Sequence, residues 1–117
     1  MSRKSFTEGN WKTDPWFRTL CEALAACETK DQVAAFLRDV ATLSELQAMS
    51  ERLEVARRIS EGETYRAIME ATGASTTTVT RVARFTLDGS GGYKRFLTKN
   101  HQHHTNLSRG KRLTPNS

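Results

Sequence analysis

Between Thr64 and Leu87 the chain reads TYRAIMEATGASTTTVTRVARFTL, and a glycine in the middle of that stretch limits what it can become. Apolar residues recur at helical spacing on both sides of Gly73, as Ile68 and Met69 before it and as Val79 and Val82 after it. That pattern predicts two short helices rather than one long one. Glycine takes a positive φ without steric cost, so Thr72-Gly73-Ala74 can turn the chain sharply between helices set at a wide angle. Ser75 is then placed to cap the free amides of the second helix. A short first helix, a tight glycine turn and a second helix with an apolar inner face are what a helix-turn-helix requires.

The outer face of the second helix points to a partner. Thr76, Thr77, Thr78 and Thr80 lose rotamer freedom in a helix and are poor choices for stability alone. They suit a contact surface, because a threonine carries a hydroxyl and a methyl on a stem short enough to let the helix backbone approach a DNA groove. Arg81 and Arg84 suit phosphates or guanine edges, and the helix amides following Ser75 favour a phosphate. Arg66, beside Tyr65 on the first helix, would lie near the DNA backbone. The expectation is a sequence-specific regulator that sets the recognition helix 75–87 into the major groove of double-stranded DNA. The alternative is a helical protein-interaction module without specific DNA binding. Protein grooves want exposed Leu, Phe or Met anchors, whereas this face offers Thr and Arg.

The rest of the chain also reads as helical, and the fold class predicted is all-α. Residues 1–13 are polar and aperiodic, which predicts a flexible N-terminal arm. Asp14 followed by Pro15 announces a helix, with Trp16, Phe17, Leu20, Cys21, Leu24 and Ala25 along one stripe ending near Cys27. Thr29 with Gln32 opens a second helix striped by Val33, Phe36, Leu37 and Val40. Ser44 with Gln47 opens a third, which carries Leu46, Met49, Leu53, Ala56 and Ile59 and stops at Gly62. Its charged side, from Glu51 to Glu61, reads mainly as a solvated face with i,i+4 pairs. Cys21 and Cys27 match no metal knuckle or redox pair and read as small buried apolar residues.

Charge narrows the partner less than it first suggests. The 117 residues carry a net charge of +5, but residues 93–117 hold 6 basic and no acidic side chains, so the excess lies wholly in the last stretch. No apolar run is long enough to span a bilayer, and the N-terminus lacks the apolar stretch of a secretory signal, so a soluble, cytoplasmic protein is expected with no membrane partner. There is no glycine-rich phosphate cradle, no nucleophile beside a base and no carboxylate pair in an apolar cleft, so no enzyme is expected. With 9 aromatic residues the core of a lone chain would be modest, and oligomerisation would enlarge it.

From Thr42 to Tyr93 the blocks LSELQAMSERLEVARRISEGETYRAI, TGASTTTVTRVAR and GSGGY resemble the Trp repressor superfamily, specifically its YerC/YecD-type branch. The resemblance implies an intertwined, obligate homodimer in which N-terminal helices of both chains form a common core and each chain presents one reading head. It implies two recognition helices in successive major grooves of a roughly palindromic site about one helical turn apart. Repression is expected rather than activation, because nothing in so short a chain suggests a polymerase-contacting domain. In the Trp repressor, tryptophan lies between two arginines, which correspond to Arg52 and Arg81 here, and its amino group meets carbonyls corresponding to Thr42 and Leu43. The chain departs from that pattern with Val82 in place of a glycine and Phe85 in place of a serine. Three outcomes stay open: L-tryptophan as effector, another small molecule, or none, with Phe85 and Val82 filling the space.

Past the helix-turn-helix, Asp88-Gly89-Ser90-Gly91-Gly92 breaks the helix. Tyr93, Phe96 and Leu97 make one further apolar turn suited to docking on a partner subunit, closing a helical domain expected over residues 14–98. Residues 99–117 read as a disordered basic tail that would bind phosphate nonspecifically. Its His101, His103 and His104 lack acidic or thiol neighbours, so they read as solvated and no metal is expected.

Overall fold

Capping chemistry sets the helix boundaries in a computed structural model that describes residues 3–98. The tail 99–117, with its three histidines, lies outside the described residues. Every regular element among the described residues is helical: a 3-10 turn (Trp11–Thr13), then α1 (Pro15–Ala25), α2 (Lys30–Val40), α3 (Leu43–Ser60), α4 (Tyr65–Thr72) and α5 (Thr76–Asp88). Residues 92–98 are helical again. No helix among the described residues is long and apolar enough to cross a membrane. The chain divides into two compact units whose boundary falls between Leu46 and Gln47, inside α3.

In the first unit Asp14 accepts from the amides of Trp16 and Phe17 at 2.8 and 3.3 Å, so Asp14 and Pro15 start α1 as expected. Thr29 accepts from Gln32 N at 3.1 Å, and the Gln32 amide oxygen reaches back to Glu28 N at 2.6 Å. The start of α3 corrects the sequence reading. Thr42 accepts from Glu45 N at 3.1 Å while Glu45 accepts from Thr42 N at 2.8 Å, so the capping box is Thr42–Glu45 and not Ser44–Gln47. A carboxylate is the stronger acceptor and complements the positive end of the helix dipole, which favours this box over one closed by a neutral amide.

Residues 3–13, expected as an aperiodic arm, lie against α1. The rings of Phe6 and Trp11 meet Phe17 edge-on at 6.2 and 5.4 Å. Lys4 pairs with Asp14 at 2.8 Å and sits 3.9 Å over the Trp16 ring. The spacing of Phe6 and Trp11 follows no helical period, so periodicity does not reveal these contacts. Within the chain itself no residue of α1 or α2 is buried. Phe17, Leu20, Leu24, Phe36, Leu37, Cys21 and Cys27 are half-buried, while Trp16 is 68% and Val40 58% exposed. The expectation of buried cysteines is thus met only halfway, and the two thiols are free.

The second unit holds the core. Val55, Ala56, Ile68 and Val79 are fully buried, Val82, Ala74 and Leu97 nearly so, and Ile59, Met69 and Tyr93 pack against them. Val55 was absent from the apolar stripe read for α3, although it lies only about 100° round the helix from Ala56. Met49 and Leu53, which the stripe included, are 44% and 39% exposed. Leu97 and Tyr93, expected to dock on a partner, instead close the core of their own chain, while Phe96 stays exposed.

Gly73 ends α4 with φ +78° and donates to Met69 O at 2.9 Å. A Cβ there would meet no atom within 4 Å, so the backbone conformation alone demands glycine. Gly73→Ala is expected to lower the unfolding free energy by about 1–2 kcal/mol in urea titration, with Gly73→Asn losing less. An unchanged midpoint for the alanine variant would remove this turn constraint.

Candidate nucleic-acid interface

The turn between α4 and α5 is fixed by short-range hydrogen bonds. Thr64 caps α4 by accepting from Ala67 N at 3.1 Å. Thr72 donates to Ile68 O at 2.7 Å and accepts from Ala74 N at 3.1 Å, fastening the corner on both sides of Gly73. Ser75 accepts from Thr78 N at 3.1 Å, as its position predicted. The Thr72 hydroxyl was not singled out in the sequence, although a threonine just before a turn glycine is a recognisable signal for such a local bond.

Below α5, Val79 and Val82 are buried; above it, Thr76, Thr77, Thr80, Arg81 and Arg84 are exposed. The four threonines are not equivalent. Thr78 is half-buried and its hydroxyl meets the Ser75 hydroxyl at 3.1 Å. The Thr76 hydroxyl lies 3.5 Å from the Met69 sulfur. Thr77 and Thr80 make no side-chain hydrogen bond among the described residues, which leaves both hydroxyls available to a partner. On α4, Tyr65 is 46% exposed. Arg66 reaches Glu70 at 3.4 Å with both side chains largely in solvent, a pair worth about 0–1 kcal/mol that a phosphate can displace.

The arginines sort into held and free. Glu54 receives Arg57 Nη2 at 2.7 Å and Arg58 Nε at 2.8 Å, and Arg57 also reaches Glu61 at 2.6 Å. The hydrogen bonds from Arg57, then those from Arg58, hold the Glu54 carboxyl down at about 2 against the opposing cost of burial. The i,i+4 pairs read for this face are present as Glu54–Arg58 and Arg57–Glu61. Arg52, Arg81 and Arg84 make no salt bridge among the described residues.

Arg52 and Arg81 instead line one cleft of about 690 Å³, together with Thr77, Phe85, Ser90 and Tyr93. Val82 forms part of its floor, and the Arg81 guanidinium lies 5.9 Å from the centre of the Phe85 ring. Four of the five residues considered for an effector, Arg52, Arg81, Val82 and Phe85, are thus brought together. The fifth, Thr42, belongs to the N-terminal unit, where it caps α3. Among the described residues no cluster of His, Cys, Asp or Glu could hold a metal ion.

Comparison with known proteins agrees with this architecture. A family model described as Trp repressor protein matches residues 16–101. The uncharacterized protein YerC of Bacillus subtilis is 36% identical over 80 residues, spanning 68% of this chain and 77% of that protein. A crystal structure of a TrpR-like protein from Eubacterium eligens superposes with a TM-score of 0.72 at 35% identity, covering 76% of this chain and 92% of the other. A candidate Trp repressor from Staphylococcus aureus gives a TM-score of 0.74 at 30% identity, covering 82% and 96%.

The depressed Glu54 carboxyl has a pH signature. Its contribution to stability is complete above its ordinary value of 4.5 and is lost as pH falls towards about 2. Thermal midpoints are expected to drop across that window in the parent and to drop less in Glu54→Gln; parallel curves would show that the ion pairs do not govern acid stability.

Proposed function

Because the chain belongs to the Trp repressor family, we propose that it is a sequence-specific double-stranded DNA-binding transcriptional regulator, a repressor, working as a homodimer in the cytoplasm. The family is a helical, regulator-type fold and not an enzyme family. The observation that carries the proposal is the division of α5, with Val79 and Val82 buried and Thr77 and Thr80 exposed with uncommitted hydroxyls. Such a helix can enter a major groove, where a threonine meets a thymine methyl or a base-edge donor or acceptor. Arg84 and Arg66, at the edges of that face, are suited to the flanking phosphates, which set register rather than sequence. A protein-docking helix would carry apolar anchors where α5 carries Thr76, Thr77 and Thr80.

The homodimer reading rests on α1 and α2. Their stripes of Phe17, Leu20, Leu24, Val33, Phe36 and Leu37 are only half-buried within one chain. At about 25 cal/mol per Å² of apolar surface, covering them with a second copy supplies a large part of a net stability of only about 5–15 kcal/mol. Two heads held in this way would meet successive major grooves about one helical turn apart. Light scattering is expected to give a dimer at low micromolar concentration, with unfolding that depends on protein concentration; a stable folded monomer would contradict it.

In the cleft between Arg52 and Arg81, Phe85 already offers Arg81 an aromatic ring. This supports regulation without an obligatory tryptophan. The test of both ideas is one titration. Purified protein with no L-tryptophan added is expected to prefer duplexes recovered by binding-site selection over unrelated DNA. Thr77→Ala with Thr80→Ala should cost about 1–3 kcal/mol of that preference while leaving the fold intact. A double variant that discriminates as well as the parent removes these residues from the interface. Discrimination that appears only when L-tryptophan is added overturns the effector-free reading.

A further inference from the structure

Resting on the DNA-binding reading above, we propose that Arg58 is a positioning residue for the reading head: it grips Glu54 behind it and Glu63 ahead of it, and so sets the angle at which α4 and α5 leave α3. The guanidinium Nε donates to Glu54 Oε2 at 2.8 Å, and Nη1 donates to Glu63 Oε1 at 3.1 Å and to Oε2 at 3.4 Å. Glu63 is held at its main chain as well, because its amide donates to the carbonyl of Arg58 itself at 3.2 Å. The next residue, Thr64, caps α4. Arg58 is thus tied to Glu63 by directional hydrogen bonds, Glu63 to Thr64 by the peptide bond, and Thr64 to the first turn of α4 by its cap.

The apolar contacts hold the head against α3 but leave part of that direction to be set by the polar clamp. The head meets α3 through Val55, Ala56 and Ile59 against Ile68, Val79 and Val82. Burial of such surface is non-directional, and a step as small as alanine gives a neighbouring helix little to lock against. The connecting loop is closed by its own backbone, Gly62 turning at φ +83° and donating to Ile59 O at 3.0 Å, and the guanidinium adds a side-chain tie from that turn back to α3. A planar, forked guanidinium holding two carboxylates on opposite sides supplies that part of the direction, and an ammonium would not, being a point charge without the fork. Arg58 and Glu63 are also the more sheltered ion pair, with side chains 26% and 29% exposed against 88% and 70% for Arg66 and Glu70. Glu54 is a firm anchor, since Arg57 holds both its oxygens at 3.0 and 2.7 Å.

Two variants test the clamp with opposite changes in net charge. Glu63→Gln adds one positive charge overall and Arg58→Met removes one, so a loss of discrimination shared by both cannot come from long-range attraction to DNA. Both are expected to reduce the preference for a selected site over unrelated duplex by about three- to tenfold. Affinity for unrelated DNA should move in opposite directions in the two variants, and only slightly. Amides 64–67 should exchange faster in both, and should one variant fail to fold the other carries the test. If the parent discriminates and both variants discriminate equally well, the clamp is overturned and the DNA-binding reading stands. If the parent binds all duplexes alike, the DNA-binding reading fails, and exchange at 64–67 judges the clamp: faster exchange supports it and unchanged exchange overturns it.

Discussion

Val79 and Val82 pin α5 to Ile68 and to the Val55–Ala56 step of α3, and the outward placement of Thr77 and Thr80 follows from that anchoring through helix geometry alone. With about 3.6 residues per turn, burying positions 79 and 82 turns 77 and 80 away from the core and leaves 76 at its flank, beside Met69. A recognition surface made this way is rigid because its underside is packed. Helix propensity alone would not hold it, since four of the first five residues of α5 are threonines. The cap from Ser75 and the left-handed corner at Gly73 deliver the helix to that packing site at a defined angle.

Charge is partitioned to suit this arrangement. Arg57 and Arg58 are consumed by Glu54, Glu61 and Glu63 at the end of α3, where they stiffen the base of the head. Arg81 and Arg84 keep their charge unspent among the described residues, on the helix that carries the exposed threonines. Overall net charge hides this division, because residues 41–92 hold nearly equal numbers of basic and acidic side chains.

Much of the architecture was legible in the sequence wherever a single residue type carries a local rule. Asp14-Pro15, Thr29, Gly73 and Ser75 each mark a boundary by chemistry acting over three or four residues, and each stands where it was read. Local rules fail where two candidates compete or where partners lie far apart. Thr42 with Glu45 outcompetes Ser44 with Gln47 because both meet the pattern and only acceptor strength separates them. The burial of Leu97 in the same core as Val55 joins positions some forty residues apart, invisible to periodicity. The Phe6 and Trp11 contacts with Phe17 escape for the same reason, since no repeat marks them. At the interface the exposed threonines were legible as a class, but the difference between Thr77 or Thr80 and the partly committed Thr76 and Thr78 depends on coordinates.

The central claim is that α5 enters the major groove, and chemical protection of a bound duplex addresses it most directly. On a selected site, dimethyl sulfate should find guanine N7, which faces the major groove, shielded in two patches about one helical turn apart, while adenine N3 in the minor groove stays reactive. Protection confined to adenine N3, or binding that leaves every guanine N7 open, would contradict the account.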